Sequence, residues 1–228
     1  MRQEKFEMEW GGKKLIIEIG KFAGQANASC TVQYGGTLVL ATCVMGKEPR
    51  EGVDYLPLLV DYEERLYAAG KIKGSRWIKR EGRPTDEAIT TARLVDRAIR
   101  PLFDDRIRKD IQVILTVLSF DQENDPDIVS LIAASTALSV SNIPWDGPIA
   151  GVRVGRIESE WVLNSTYNAR EKSDFDLVVA GNEKKVVMLE AGANEISEEV
   201  VHEAIVYGQK HLTKVVEFIS KKYDNWKK

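Results

Sequence analysis

Apolar residues alternate with polar ones, or run together in short blocks, over the first third of the chain, and this patterning predicts strands. Residues 14–20 (KLIIEIG), 28–45 (ASCTVQYGGTLVLATCVM) and 55–62 (YLPLLVDY) are rich in Val, Ile, Leu and Thr, residues that suit a pleated, half-buried surface. The YGGT stretch at 34–37 predicts a hairpin turn inside the second block. A basic, glycine-punctuated loop occupies 69–84. The pattern then changes to a helical period over 85–103 (TDEAITTARLVDRAIRPLF). Thr85 is its expected N-cap, Asp86 and Glu87 suit the first turn, and Pro101 falls near the C-terminal end. Residues 111–120 (IQVILTVLSF) form a nearly continuous apolar run of strand length, predicted to be buried on both faces. Residues 126–141 (PDIVSLIAASTALSVS) predict a buried helix opened by proline. Strands are predicted again at 147–157, 160–164, 174–181 and 184–192, and an amphipathic helix at 197–223 whose SEEV stretch is a start signal. Irregular alternation of strands and helices predicts an α+β layered fold. With no linker, low-complexity tract or internal repeat, the 228 residues are expected to form a single domain, 1–228.

Composition is that of an ordinary globular protein, 43% hydrophobic and 29% charged, with a net charge of −3. Cys30 and Cys43 lie in strand-like runs and read as buried free thiols; His202 and His211 are too far from them in sequence for a zinc spacing. The N-terminal MRQEKFEMEW lacks the apolar core of a signal peptide, and no stretch is long and apolar enough to span a membrane. The cytoplasm is the expected location.

Charge is where the sequence departs from the ordinary. Between Lys71 and Lys109 there are twelve Lys and Arg against six Asp and Glu; the rest of the chain has 20 against 29. An electropositive patch on an acidic body attracts phosphates and polyanions. Within the predicted helix, Ala88, Ala92, Val95, Ile99 and Leu102 form a core-facing stripe, while Arg93, Arg97 and Arg100 share another face. Asp96 is spaced to pair with Arg93 or Arg100. A solvated, salt-bridged face is the plainer reading. The adjacent loop with Arg76, Lys79, Arg80 and Arg83 favours a phosphate-binding face instead, because guanidinium forks grip phosphate bidentately. Trp77 in that loop is either a core anchor or a stacking platform for an unpaired base. A single strand suits the site better than a duplex, since no recognition-helix motif is present.

Several long motifs in order carry a family resemblance: DYEERLYAAGKIKGS, KREGRPTDEAITTARLVDRAIRPLF, NDPDIVSLIAASTALS, IPWDGPIAGVRVG and FDLVVAGNEKKVVMLEAGANEISEE. From about Phe6 to about Phe218 the chain resembles the N-terminal core domain of the bacterial polynucleotide phosphorylases, within the ribonuclease PH family. The resemblance implies a two-layer α+β ribonuclease PH fold like domain 2 of ribosomal protein S5. It implies 3′-to-5′ exoribonuclease activity for the whole enzyme, with inorganic phosphate as co-substrate and nucleoside diphosphates released in mRNA decay. It also implies a homotrimeric ring threaded by single-stranded RNA, with KH and S1 domains elsewhere in the complete protein and degradosome partners possible. Arg76, Trp77, Lys79, Arg80 and Arg83 would then line the channel, with Arg93, Arg97 and Arg100 beside them. The loop is about one residue longer than the common bacterial form, where two aromatics precede two arginines, so either Trp77 or Ile78 takes the stacking position.

The same resemblance argues against catalysis in this domain. Active members hold phosphate with a Gly-Thr-Arg stretch where this chain has Pro126, Asp127 and Ile128. Of two acids expected around 164–176, Thr166 stands at one position and Asp174 at the other. Arg97 matches a phosphate-binding arginine of active members. No catalytic residue and no metal ligand is therefore expected in this chain, and Mg²⁺ would bind in a second core domain. Two alternatives stay open: a stand-alone phosphorolytic ribonuclease of the ribonuclease PH type, or a non-enzymatic RNA-binding ring subunit.

Overall fold

In the computed structural model, residues 3–72, 74 and 82–226 are described, with side chains as far as Lys221. Ten strands form two sheets. In the larger, β1 (Glu4–Trp10), β2 (Lys13–Ile19), β3 (Ala28–Tyr34) and β4 (Thr37–Pro49) run antiparallel in chain order; β6 (Lys109–Ser119) follows β4, and β5 (Leu58–Glu64) closes the edge parallel to β6. In the smaller, β10 (Val186–Ala193), β9 (Phe175–Gly181), β7 (Ala150–Ile157) and β8 (Glu160–Leu163) are all antiparallel. Helices α1 (Asp86–Ile99), α2 (Pro126–Val140), α3 (Tyr167–Arg170) and α4 (Glu198–Trp226) complete the fold. This is the α+β layered class read from the patterning.

The layers are held by α2. All its residues except Val140 are buried, as its lack of a polar face requires. On one side it meets the larger sheet, where the thiols of Cys30 and Cys43 donate to the carbonyls of Ala133 (3.2 Å) and Ala137 (3.4 Å). On the other it meets the smaller sheet at Gly151, where a Cβ would stand 2.4 Å from Leu131 Cδ2, so a larger residue would require Leu131 to move. Helix α4 covers the opposite face of the smaller sheet, its Gly208 set among the methyls of Val152, Val154 and Val179. It also reaches the larger sheet, where Trp10 Nε1 donates to the His211 carbonyl at 3.3 Å.

Several boundaries differ from the sequence reading. Strand β1, absent from it, places Phe6, Met8 and Trp10 inward with Lys5, Glu7 and Glu9 outward. Strand β5 begins at Leu58, after Pro57, rather than at Tyr55, which is exposed. Helix α1 ends at Ile99 and tightens into a 3₁₀ turn over Arg100–Leu102, because Pro101 has no amide to continue the ladder. Strand β6 is buried on one face only: Ile111, Val113, Leu115 and Val117 enter the core, while Gln112, Ile114, Thr116 and Leu118 are half-buried. On this outer face Leu38, Leu40 and Ile114 are half-buried, and Val44 and Leu59 are exposed. The hairpin at 34–37 forms as expected, with Gly35 at φ +59°. The short helix α3 has no counterpart in the pattern.

Candidate functional site

The predicted basic face is built on α1. Thr85 caps it as expected, its Oγ1 accepting from the Ala88 amide (3.0 Å) and donating to Glu64 Oε2 (3.0 Å). Ala88, Val95 and Ile99 are buried with Leu94 and Ala98, so the helix presents Ile89, Arg93 and Arg97 to solvent. Arg93 and Arg97 thus share the open face, and Arg97 has one loose ion pair, 3.7 Å to Glu190 on β10. Arg83 is exposed in the segment leading into the helix. Arg76, Trp77, Lys79 and Arg80 lie outside the described residues.

Arg100 departs from the expected group. Its guanidinium donates to both Asp96 oxygens (2.9 and 2.6 Å), to the Leu56 carbonyl (3.3 Å) and to the Leu58 carbonyl (3.0 Å). The fork is committed to tying α1 to the edge of β5, leaving little for a phosphate. Asp96, one turn back on α1, and the carbonyls of Leu56 and Leu58 draw the guanidinium toward β5, so Arg100 is half-buried while Arg93 and Arg97 stay open.

A second cluster surrounds the N-terminus of α2. Asp125 caps the helix, accepting from the Asp127 amide at 3.1 Å. Arg153, in the middle of β7, donates from Nη1 to Asp176 on β9 (2.6 Å) and from Nη2 to Asp127 and Asp125 (3.5 Å for the latter). Arg170 on α3 donates to Asp125 at 2.7 Å. Three carboxylates thus meet two guanidiniums, one negative charge in excess. In a buried site that excess favours taking up a proton. Burial, opposed by Arg153 and reinforced by Asp125, pushes Asp127 up to about 7. Burial also acts against the Asp125 charge, but Arg153 and Arg170 overcome it and hold that carboxyl below the usual range. Burial, then the charges of Glu64, Asp125 and Asp127, push the Tyr62 phenol well above its ordinary value.

This cluster lies where the resemblance puts phosphate in active members. Here the chain's own carboxylates occupy the helix N-terminus, a place that favours anions. Asp127 is neither open nor facing solvent; it is 5% exposed and bound to Arg153. Ile128 is buried. Asp176, rather than Asp174, is the acid of this region that enters the cluster; Asp174 is exposed. Thr166 is the N-cap residue of α3, without a side-chain capping bond. A cavity beside the cluster, lined by Trp10, Tyr34, Asn124 and Ser165 among others, has a volume of about 20 Å³, room for about one water. A Mg²⁺ ion does not fit this donor set, because Arg153 already stands among the three carboxylates. Among the described residues no cluster of His, Cys, Asp and Glu is arranged to hold a metal.

Sequence reasoning missed Arg153, Asp125, Asp176 and Arg170. One signal was present: an arginine inside the apolar strand GVRVG requires a buried acid, since an unpaired internal charge is prohibitively costly.

Fold and site together define a class. Residues 11–144 match the model of the 3′ exoribonuclease family, domain 1, and residues 147–211 match that of domain 2. The chain belongs to the 3′ exoribonuclease family. Within it, the chain is 54% identical over 213 residues to the polyribonucleotide nucleotidyltransferase of Heliobacterium modesticaldum, covering 93% of this chain and 30% of that protein. It is 51% identical over 214 residues to polyribonucleotide nucleotidyltransferase 1 of Alkaliphilus metalliredigens, covering 94% of this chain and 30% of the relative. The chain therefore spans about three tenths of the length of these relatives. Among solved structures, rice (Oryza sativa) Rrp46 superposes with a TM-score of 0.74 over 98% of this chain and 96% of the other, at 13% identity; that likeness concerns the fold. Among the described residues no helix is long and apolar enough to cross a membrane.

Proposed function

We propose that this chain is the first ribonuclease PH-like core domain of a polyribonucleotide nucleotidyltransferase, a phosphorolytic 3′-to-5′ exoribonuclease of RNA decay. Its part is to bind and guide single-stranded RNA and to support a homotrimeric ring in the cytoplasm. The observation that carries this is identity of 54% and 51% over more than nine tenths of the chain to two such enzymes. The open face of Arg93 and Arg97, with Arg83 and the basic loop, supplies the RNA contacts. Chemistry in the complete enzyme, with inorganic phosphate attacking the terminal phosphodiester, belongs to residues outside this chain, as does the Mg²⁺ site. The self-occupied N-terminus of α2 supports that division: Asp125 and Asp127 hold the guanidiniums that an incoming phosphate would need.

The purified chain, given oligo(A), phosphate and Mg²⁺, is expected to release no ADP while binding the oligomer. Release of ADP would favour a stand-alone phosphorolytic enzyme. The Arg97→Ala and Arg80→Ala variants are expected to bind oligo(A) more weakly, most visibly at low salt. Unchanged affinity in both removes the guiding role.

A further inference from the structure

The 3₁₀ turn Leu66–Ala69 follows β5 and leads into the basic segment that begins at Lys71. Its Leu66 and Tyr67 are 45% and 61% exposed, and Ile72 just beyond is 94% exposed. The turn is fastened to the body by the Phe120 amide, which donates to the Ala68 carbonyl at 2.9 Å. The Phe120 ring meets Tyr167 edge to face, with centroids 6.0 Å apart. Tyr167 opens α3 and is 36% exposed, with the Arg170 guanidinium 4.7 Å from its ring centroid. Arg170 is itself held by Asp125 (2.7 Å) and donates to the Ser165 carbonyl (3.4 Å).

Tyr67 thus sits one residue before the Ala68 carbonyl that holds the Phe120 amide, and the half-buried Phe120 ring meets Tyr167, at the entrance to the most cationic part of the chain. Large apolar groups clustered in water mark interaction sites. Flat rings beside guanidinium and ammonium groups are what unpaired bases stack upon, with the cations taking the phosphates. Tyr167 is preorganised for such a role, braced on its edge by Phe120 and over its ring by an arginine that the ionic cluster immobilises.

We propose that Tyr67 and Tyr167 form a base-stacking platform for single-stranded RNA, separate from the phosphate contacts of Arg93 and Arg97. This rests on the RNA-binding reading above. It is tested with the purified chain by fluorescence anisotropy, using labelled oligo(A) and an abasic ribose-phosphate oligomer of the same length at one salt concentration. Tyr67→Ala and Tyr167→Leu are expected to weaken oligo(A) binding by about tenfold each, to leave abasic binding unchanged, and to leave the salt dependence unchanged. Tyr167→Phe, which keeps the ring, is expected to bind like wild type. Undiminished oligo(A) affinity in both ring-removing variants overturns the platform while leaving the RNA reading intact. Equal loss on both oligomers also overturns it, since bases would then play no part. A wild-type chain that binds neither oligomer sinks the RNA reading and the platform with it.

Discussion

Arg153 meets carboxylates on both β9 and the start of α2, so its removal is a test of how the smaller sheet is joined to α2. Arg153→Met keeps the stem and deletes the charge, leaving Asp125, Asp127 and Asp176 with only Arg170 nearby. Breaking a buried pair from one side costs about 3–5 kcal/mol, and urea unfolding should show a loss of that order. Asp127 has the opposite sense in pH. Its folded pKa, about 7, lies above the value of about 3.9 usual for an unfolded aspartate. The stability it contributes is full below the unfolded value and is lost as pH rises through the folded one. Thermal unfolding should therefore occur at lower temperature at pH 8 than at pH 5, and Asp127→Asn should flatten that slope. The depressed carboxyls work the other way: Asp125 and Asp121, the latter held at about 2 by several amides after burial is overcome, lose their contribution only on acidification. Little of this was legible in the sequence, because Asp125, Arg153, Arg170 and Asp176 come from four segments and only the fold brings them together. The α1 stripe was legible because one helix carries it within a single periodic window.

At the level of elements, the patterning read well wherever one face meets water and the other the core. It failed where the environment was not local. Strand β6 looks doubly buried in sequence, yet only one of its faces is fully buried and the other is half-buried. Arg100 looks like part of a basic face until Asp96 and the carbonyls of Leu56 and Leu58 claim its guanidinium. Two variants separate these roles. Arg100→Ala should lower thermal stability by freeing α1 from the carbonyls of Leu56 and Leu58, whereas Arg97→Ala should leave stability nearly unchanged, its partner being exposed. The junction of β9 with β10 sets a tighter limit. A Cβ at Gly181 would stand 2.3 Å from the Lys185 carbonyl oxygen, a backbone atom with little freedom to move. Gly181→Ala should thus destabilise by about 1–3 kcal/mol in denaturant titration.

For the molecule as a whole, the separation of charge matters more than its sum. A body with net charge −3 would repel RNA if its charges were evenly spread; segregation into the 71–109 segment gives one attractive approach and an acidic remainder that discourages others. The fold also concentrates its cohesion. Helix α2 presents no face to solvent and touches both sheets, so it has no local opening that exposes its amides while the rest of the molecule stays closed. In hydrogen exchange its amide protons should be among the last to go, at the free energy of global unfolding rather than of fraying. The slow protons of this one helix would then serve as an internal gauge of the stability of the entire chain.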